Sequence, residues 1–342
     1  MWDESKVRIV DIARELGLST ATVSNVLHGK TKKLSDATVK RVEQKLEERG
    51  YIPNMAATLL ARNNSRIIGV VIKDHEKYDG RLLEDPFVSA SLNDLSDEID
   101  RRGYFMMVKK TTEIMDVVRF ASMWNQDGML VLGFCEDEYQ NLRDHIRIPF
   151  VTYDGYMEGA SRIGNVMLDD FDGGRQVGEY LRSMGHSAVL FVADNHICMD
   201  WERYEGLCQG LGHRADYLEI PIRRAERAAF YRDSLPRFRA HTALFAASDY
   251  YALEIMSFLR FRGVHVPEEL SIVGFDGSHL CGMSLPNLTS VSQDFRLRAS
   301  TAMDMLMNMI VNPDYSKTVR LPVKLALGGS VLPPRRQASK SL

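Results

Sequence analysis

Five aspartates recur at equivalent places in this 342-residue chain. Asp74, Asp154, Asp194, Asp249 and Asp276 each stand at or just past the end of a short apolar run. Carboxylates accept hydrogen bonds, so several of them brought together suit the hydroxyl or amine groups of a small molecule. Arg203, near the start of a helical stretch, adds a fork of donors for a carboxylate, a phosphate or paired hydroxyls. Phe87, Trp201 and Phe295 are the aromatics that could wall such a pocket. Taken singly, an Asp at a strand–helix turn is an ordinary helix N-cap. As a set they point to a binding pocket, with Asp249 and Asp276 foremost.

A second set lies close to the N-terminus. Ser19 is a good N-cap for a helix running from Thr20 to Leu27. Its buried stripe is Val23, Val26 and Leu27, which leaves Thr20, Ala21, Ser24, Asn25 and His28 on the outer side. Small polar side chains let a helix sit deep in the major groove and hydrogen-bond base edges. With Ser19 and Thr22 they make up the expected DNA-contact set. Lys30, Lys32, Lys33, Lys40 and Arg41 surround them and suit phosphates.

The elements that must position these groups follow from periodicity. Ile12, Ala13 and Leu16 share one helical face, and Gly17 permits a tight turn into the capped helix. A third helix starts at Ser35, buries Val39, Val42 and Leu46, and stops at Gly50. Two short helices about a Gly turn, with a supporting third, fit a helix-turn-helix. They fit a three-helix protein-interaction module equally well.

From residue 67 the pattern changes. Short apolar runs at 67–72, 104–108, 129–132, 149–153, 188–193, 243–247 and 270–275 alternate with helix-length stretches at 87–102, 171–184, 202–211, 225–235 and 249–262. Such alternation predicts parallel sheets with helices on both faces. The length suits two lobes better than one. In such sheets ligands bind outside the carboxyl ends of the strands, where the five aspartates stand.

Charge is divided unevenly. Residues 1–66 carry a net +4 and the remainder −7, for −3 in all, so only the head is suited to an anionic polymer. No apolar run reaches membrane-spanning length, and the first residues lack the apolar core of a secretory signal, so a cytoplasmic protein is expected. Four scattered cysteines, with no C-x-x-C pair, read as reduced thiols rather than disulfides or a zinc site.

Enzyme motifs are missing. No G-x-G-x-x-G follows the run at 67–72, Gly29-Lys30-Thr31 lacks the first glycine of a phosphate loop, and neither H-E-x-x-H nor G-x-S-x-G occurs. Paired acids in a cleft could do acid–base work, but a non-enzymatic binding role with no cofactor and no metal is expected. The alternating Met303, Met305, Met307 and Met309 fall on different helix faces and read as packing. A transporter's solute-binding protein would suit the lobes but not the head.

The segment IVDIARELGLSTATVSNVLHGK, followed by LSDATVKRVEQKLEERGYIPNMAATLLARNNSRIIGVVI, resembles the head and hinge of the lactose-repressor (LacI/GalR) family of bacterial transcription regulators. The resemblance continues through DPF at 85–87, residues 164–186, ERYEGL at 202–207, TALFAASDYYAL at 242–253 and residues 263–295. It implies a small all-α helix-turn-helix head over residues 1–50 and a hinge over 51–66. It further implies an α/β core of two periplasmic-binding-protein-like lobes over 67–342. The N-lobe is expected at about 67–163 and 293–325, the C-lobe at about 164–292 and 326–342.

By the same resemblance the protein is a sequence-specific DNA-binding regulator, a repressor and a homodimer. A small molecule between the lobes, a sugar foremost, is expected to control its affinity for near-palindromic operator DNA. Asn54, Ala57 and Leu60 fall on the hinge helix, with Leu60 as the apolar wedge that parts a base step in the minor groove. Arg203, Asp249 and Asp276 are the implied effector ligands of the C-lobe. Asp74, Phe87 and Asp154 are those of the N-lobe, and Phe295 is placed near the crossover.

The chain departs from the family pattern at Asn25, His28, Ser248 and Gly328, and in a longer stretch at 73–86 that could form a lid over the cleft. The tail has no leucine heptad, which predicts a dimer without a tetramerising coil.

Overall fold

A computed structural model describes residues 7–27, 29–51, 65–134, 136–155 and 163–335. The chain divides into two compact units, Met1–Ser65 and Arg66–Leu342.

The first unit holds α1 (Ile9–Leu16), α2 (Thr20–Leu27) and α3 (Asp36–Glu48). Ile12, Ala13, Val23, Val26 and Val42 form its core, with Leu16, Leu27, Val39 and Leu46 partly buried around it. Gly17 closes α1 at φ 66°, a conformation that costs glycine little and lets α2 turn back on α1. Ser19 accepts from the Thr22 amide at 3.1 Å and Ser35 from the Thr38 amide at 3.3 Å, so both following helices are capped.

The second unit contains two six-stranded sheets. The N-lobe sheet runs β11 (Lys317–Leu321), β5 (Gly164–Leu168), β4 (Phe150–Tyr153), β3 (Gly128–Leu132), β1 (Ile67–Lys73), β2 (Phe105–Thr111). The C-lobe sheet runs β12 (Lys324–Ala326), β10 (Thr289–Ser292), β9 (Ser271–Asp276), β8 (Ala243–Ala246), β6 (Val189–Ala193), β7 (Asp216–Glu219). Every pairing is parallel except β10 with β12. The central strands β3, β6 and β8 are buried along their whole length, as strands covered on both faces must be.

The covering helices are α4 (Pro86–Arg101), α5 (Ile114–Met123), α6 (Glu136–His145), α7 (Asp170–Ser183), α8 (Cys198–Leu211), α9 (Arg224–Asp233), α10 (Leu235–Ala240), α11 (Asp249–Phe261) and α12 (Phe295–Val311).

The lobe boundaries expected at 164 and 326 shift. β5 pairs with β4 and β11, so it belongs to the N-lobe sheet and the first crossing follows Leu168. The last crossing lies between β11 and β12, because β12 adds antiparallel to β10 of the C-lobe. Both strands are short and sit at or near a sheet edge, where the apolar run that marks a central strand is not required.

In the C-lobe α7 and α8 approach backbone to backbone. A Cβ on Gly174 would stand 2.0 Å from the Arg203 carbonyl oxygen, and one on Gly206 would stand 2.0 Å from that of Phe171. Glycine is therefore required at the contact, and the contact sets the position of Arg203 and Asp170 on the two helices.

Candidate functional site

A cavity of about 310 Å³ opens between the two lobes. Its walls are the carboxyl ends of strands from both sheets, the place where open α/β sheets bind ligands. Phe87, Phe134, Tyr153 and Ile197 give it apolar wall. Charged side chains reach in from both sides.

On the N-lobe side, Asp154 follows β4 with φ 56°, a left-handed conformation that turns the chain sharply at the strand end. Fully buried Arg298, on α12, places Nη2 2.6 Å from Asp154 Oδ2, in ion-pair contact but not aligned for a hydrogen bond. Among the described residues, buried Asp154 Oδ1 has no hydrogen-bond partner. The guanidinium of Arg298 also lies over the Tyr153 ring, 4.4 Å from its centroid.

On the C-lobe side, Asp276 ends β9 with φ 120°. Gln293 joins the two sides: its amide donates to Asp276 Oδ1 at 3.1 Å, and its Oε1 accepts from Arg298 Nη1 at 2.9 Å. Burial, together with the neighbouring carboxylate of Asp249, pushes the Asp276 carboxyl well above the ordinary carboxylate range. Burial thus favours the protonated form of Asp276, a form that can donate as well as accept.

Arg203 is committed to the protein. Its Nε and Nη2 donate to Asp170 Oδ1 at 2.8 and 2.7 Å, and Nη1 to the Ala247 carbonyl at 2.5 Å. It stacks on Phe275 at 3.6 Å. Asp249 lines the cavity, yet both its oxygens are occupied: Oδ1 accepts from Ser290 Oγ at 2.5 Å, and Oδ2 from the Ser278 amide at 2.7 Å and Cys281 Sγ at 3.1 Å. Asp249 borders the cavity as expected, with a second task besides. Its carboxylate anchors the turn after β9 to the start of α11.

Two expectations are corrected. Asp74 does not line the cavity; its side chain turns toward β2 and accepts from Lys110 Nζ at 3.1 Å. Phe295 lies behind the wall, 6.0 Å from the Phe87 ring centroid, because it occupies the first turn of α12 on the side facing α4. Phe87, Asp154, Arg203, Asp249 and Asp276 do border the cavity.

Sequence reasoning missed several residues. His75 and Lys77 enter from the stretch 73–86, Asp200 from α8 and Arg298 from α12. One signal for Arg298 was available: a charged residue on the stripe Arg298, Ala302, Met305, Met309, at helical spacing on the buried face of α12. Asp200 is pushed up to about 7 by burial and by Asp194, against the pull of Arg203. Asp194 is held low: burial opposes this, but Lys77 and the Tyr251 hydroxyl, 2.6 Å from Oδ2, outweigh it.

In the head, the exposed residues of α2 are Thr20, Ala21 and Asn25, with Ser24 half-buried beside them. Ser19 and Thr22 share a hydroxyl hydrogen bond of 2.9 Å, so these two hydroxyls already serve the helix cap. His28, Asn54, Ala57 and Leu60 lie outside the described residues.

Residues 8–54 match the lacI family of bacterial regulatory proteins, and residues 179–331 match the periplasmic binding protein-like domain. The chain is thus similar to lacI-family regulators in its head and to periplasmic binding proteins in its core.

Its relatives include the HTH-type transcriptional repressor PurR of Vibrio atlanticus, 29% identical over 328 residues that cover 91% of this chain and 94% of that one. The HTH-type transcriptional regulator MalR of Clostridium butyricum is 26% identical, covering 93% and 97%. Among solved structures, a lac repressor dimer bound to operator and the anti-inducer ONPF shares the fold at a TM-score of 0.82 and 23% identity, covering 96% of this chain and all of that one. A complex of the transcriptional regulator CelR with cellobiose has a TM-score of 0.68 at 23% identity, covering 94% and 99%.

This chain is a DNA-binding transcription regulator with an effector-binding core, not an enzyme. Among its described residues no helix is long and apolar enough to cross a membrane, and no group of three His, Cys, Asp or Glu side chains is disposed to hold a metal ion.

Proposed function

We propose that this chain is a cytoplasmic repressor that acts as a homodimer on near-palindromic operator DNA and is controlled by a sugar bound between its lobes. The observation that carries the effector class is the buried Asp154–Arg298 pair. Among the described residues Asp154 Oδ1 has no hydrogen-bond partner, and Arg298 Nη2 has none although it touches Asp154. A hydroxyl both donates and accepts, so one ligand hydroxyl can satisfy both atoms. Asp276 faces the same space. Apolar walls beside hydroxyl partners suit the two kinds of surface on a sugar ring.

Dimerisation is supported by the edge strand β2 and the helix after it. Phe105, Val108 and Met115 expose 56, 39 and 51% of their surface there, and an apolar sheet edge of this kind favours a covering partner. In the dimer two α2 helices read half-sites through Thr20, Ala21, Ser24, Asn25 and His28. The hinge residues Asn54, Ala57 and Leu60 enter the minor groove between them. Effector binding changes the angle between the lobes and so the spacing of the hinges, with a coupling energy on the order of 1–3 kcal/mol.

Selection of bound duplexes from a random pool tests this reading. A palindromic site, weakened by Leu60→Ala and shifted by one sugar of a panel, is the expected result. Enrichment of no sequence above salt-dependent background overturns it.

A further inference from the structure

The stretch 73–86 links β1 to α4, and two consecutive residues of it face the opposite lobe. Glu76 Oε2 accepts from Arg223 Nε at 2.8 Å, and Arg223 precedes α9 of the C-lobe. Lys77, next in sequence, points into the cavity, where the C-lobe presents Asp194 and Asp200. Its ammonium lies over the Tyr78 ring, 5.1 Å from the centroid.

The cavity is crowded with acids. Asp85, Asp194, Asp200 and Asp276 all border it, while Arg203 and Arg298 are already paired with Asp170 and Asp154. Arg203 also stands 3.7 Å from Asp200, and among the described lining residues Lys77 is a further cation on the N-lobe side, facing Asp194 and Asp200 across the cavity. Burial works against its charge, yet Tyr78, Asp194, Asp85 and Asp200 hold its ammonium above the ordinary lysine value. In return Lys77 helps hold Asp194 ionised. The His75 ring cannot share this work. Burial and the nearby Lys77 hold its pKa below the ordinary histidine value, and its Nε2 is engaged with the Gly133 carbonyl.

We infer that Lys77 is a tethered stand-in for the positive group of a ligand: it draws the empty cleft closed across Asp194 and restricts the effector to an uncharged hydroxylated molecule. An amine must compete with Lys77 for the same carboxylates. An acid meets Asp194, which is held ionised, at short range, where like charges repel. Glu76–Arg223 aligns the clasp at the mouth. Both of its side chains are more than half exposed, so it steers closure rather than driving it. This inference rests on the sugar reading only for the kind of ligand, not for the closure.

The test uses the full chain and Lys77→Met, which keeps the stem and removes the charge. The ligand-free distance between spectroscopic labels, one on each lobe, reads closure. Calorimetry with matched trios reads selectivity: glucose, glucosamine and glucuronate, and the corresponding galactose set. The wild-type chain should be closed and should prefer the neutral member. Lys77→Met should open the lobes and shift preference toward the amine by at least tenfold. Glu76→Arg and Arg223→Glu should each loosen closure, and the double reversal should restore it.

An unchanged inter-lobe distance in Lys77→Met overturns the inference. So does a wild-type preference for the uronate that Lys77→Met abolishes, since Lys77 would then be an anion ligand. If Lys77→Met opens the lobes while no trio binds either protein, the clasp stands and the sugar reading falls.

Discussion

Asp154 and Asp276 border one cavity from opposite lobes, each at the end of a strand and each with a left-handed φ, 56° and 120°. Such backbone costs about 1–3 kcal/mol per residue and persists only where the surroundings hold it. What holds it here is a chain of contacts. Arg298 meets Asp154 at 2.6 Å and Gln293 at 2.9 Å, and Gln293 meets Asp276 at 3.1 Å. Gln293 lies where the chain crosses from β10 to α12, so the two lobes are linked through the cavity wall.

Arg298→Met should destabilise the core by about 3–5 kcal/mol, because it strands the Asp154 charge in a buried place. Denaturant unfolding reads the loss. Adding Asp154→Leu to that variant should recover most of it, since a buried pair replaced by apolar groups costs far less than a pair broken. A double variant as unstable as the single would show that Arg298 acts through packing alone.

Gln293→Leu cuts the same link without removing a charge. It should leave sugar binding within a few-fold and weaken the effect of sugar on operator affinity. Operator titrations with and without ligand measure this coupling, and an unaltered ratio would place the coupling elsewhere.

Asp200 ties stability to pH. Its carboxyl rises from 3.8 to about 7 on folding, so the folded chain holds a proton that the unfolded chain releases. The resulting stability is fully present below pH 4 and is lost as pH rises through about 4 to 7. Asp200→Asn stays neutral throughout. Its melting temperature should match that of the wild-type chain near pH 4 and exceed it at pH 8. Parallel melting profiles across that range would show that Asp200 titrates normally.

Gly206→Ala pushes a methyl against the Phe171 carbonyl, where backbone cannot step aside. Separating α7 from α8 should cost on the order of 3 kcal/mol, as overpacking does. It should also weaken effector binding, because Asp170 and Arg203 ride on those helices. Calorimetric melting and ligand titration check the two effects separately.

Asn25→Ala should cost about 1–3 kcal/mol at one operator position and relax the base preference there. Lys33→Ala, on the exposed rim beyond α2, should weaken all sequences alike and flatten the salt dependence. Competition among single-base operator variants separates the two.

The sequence by itself determined the local elements. Apolar runs such as 188–193 specify strands, the 3.6-residue spacing of Ile12, Ala13 and Leu16 specifies a helix face, and Gly17 and Ser19 mark where helices end and begin. The strand-end rule also brought Asp154, Asp194, Asp249 and Asp276 to one cavity, since that placement follows from the architecture alone.

Only the tertiary structure decided which of those groups remain available to a ligand. Asp249 accepts from Ser278, Ser290 and Cys281, and Asp74 Oδ2 from Lys110, and these partners lie 29 to 41 and 36 residues away in the chain. The edge strands β11 and β12, and the entry of Lys77 into the opposite lobe's field, likewise depend on long-range packing. Hydrogen bonding and burial are settled between segments distant in sequence, whereas periodicity reports only the face that each segment turns inward.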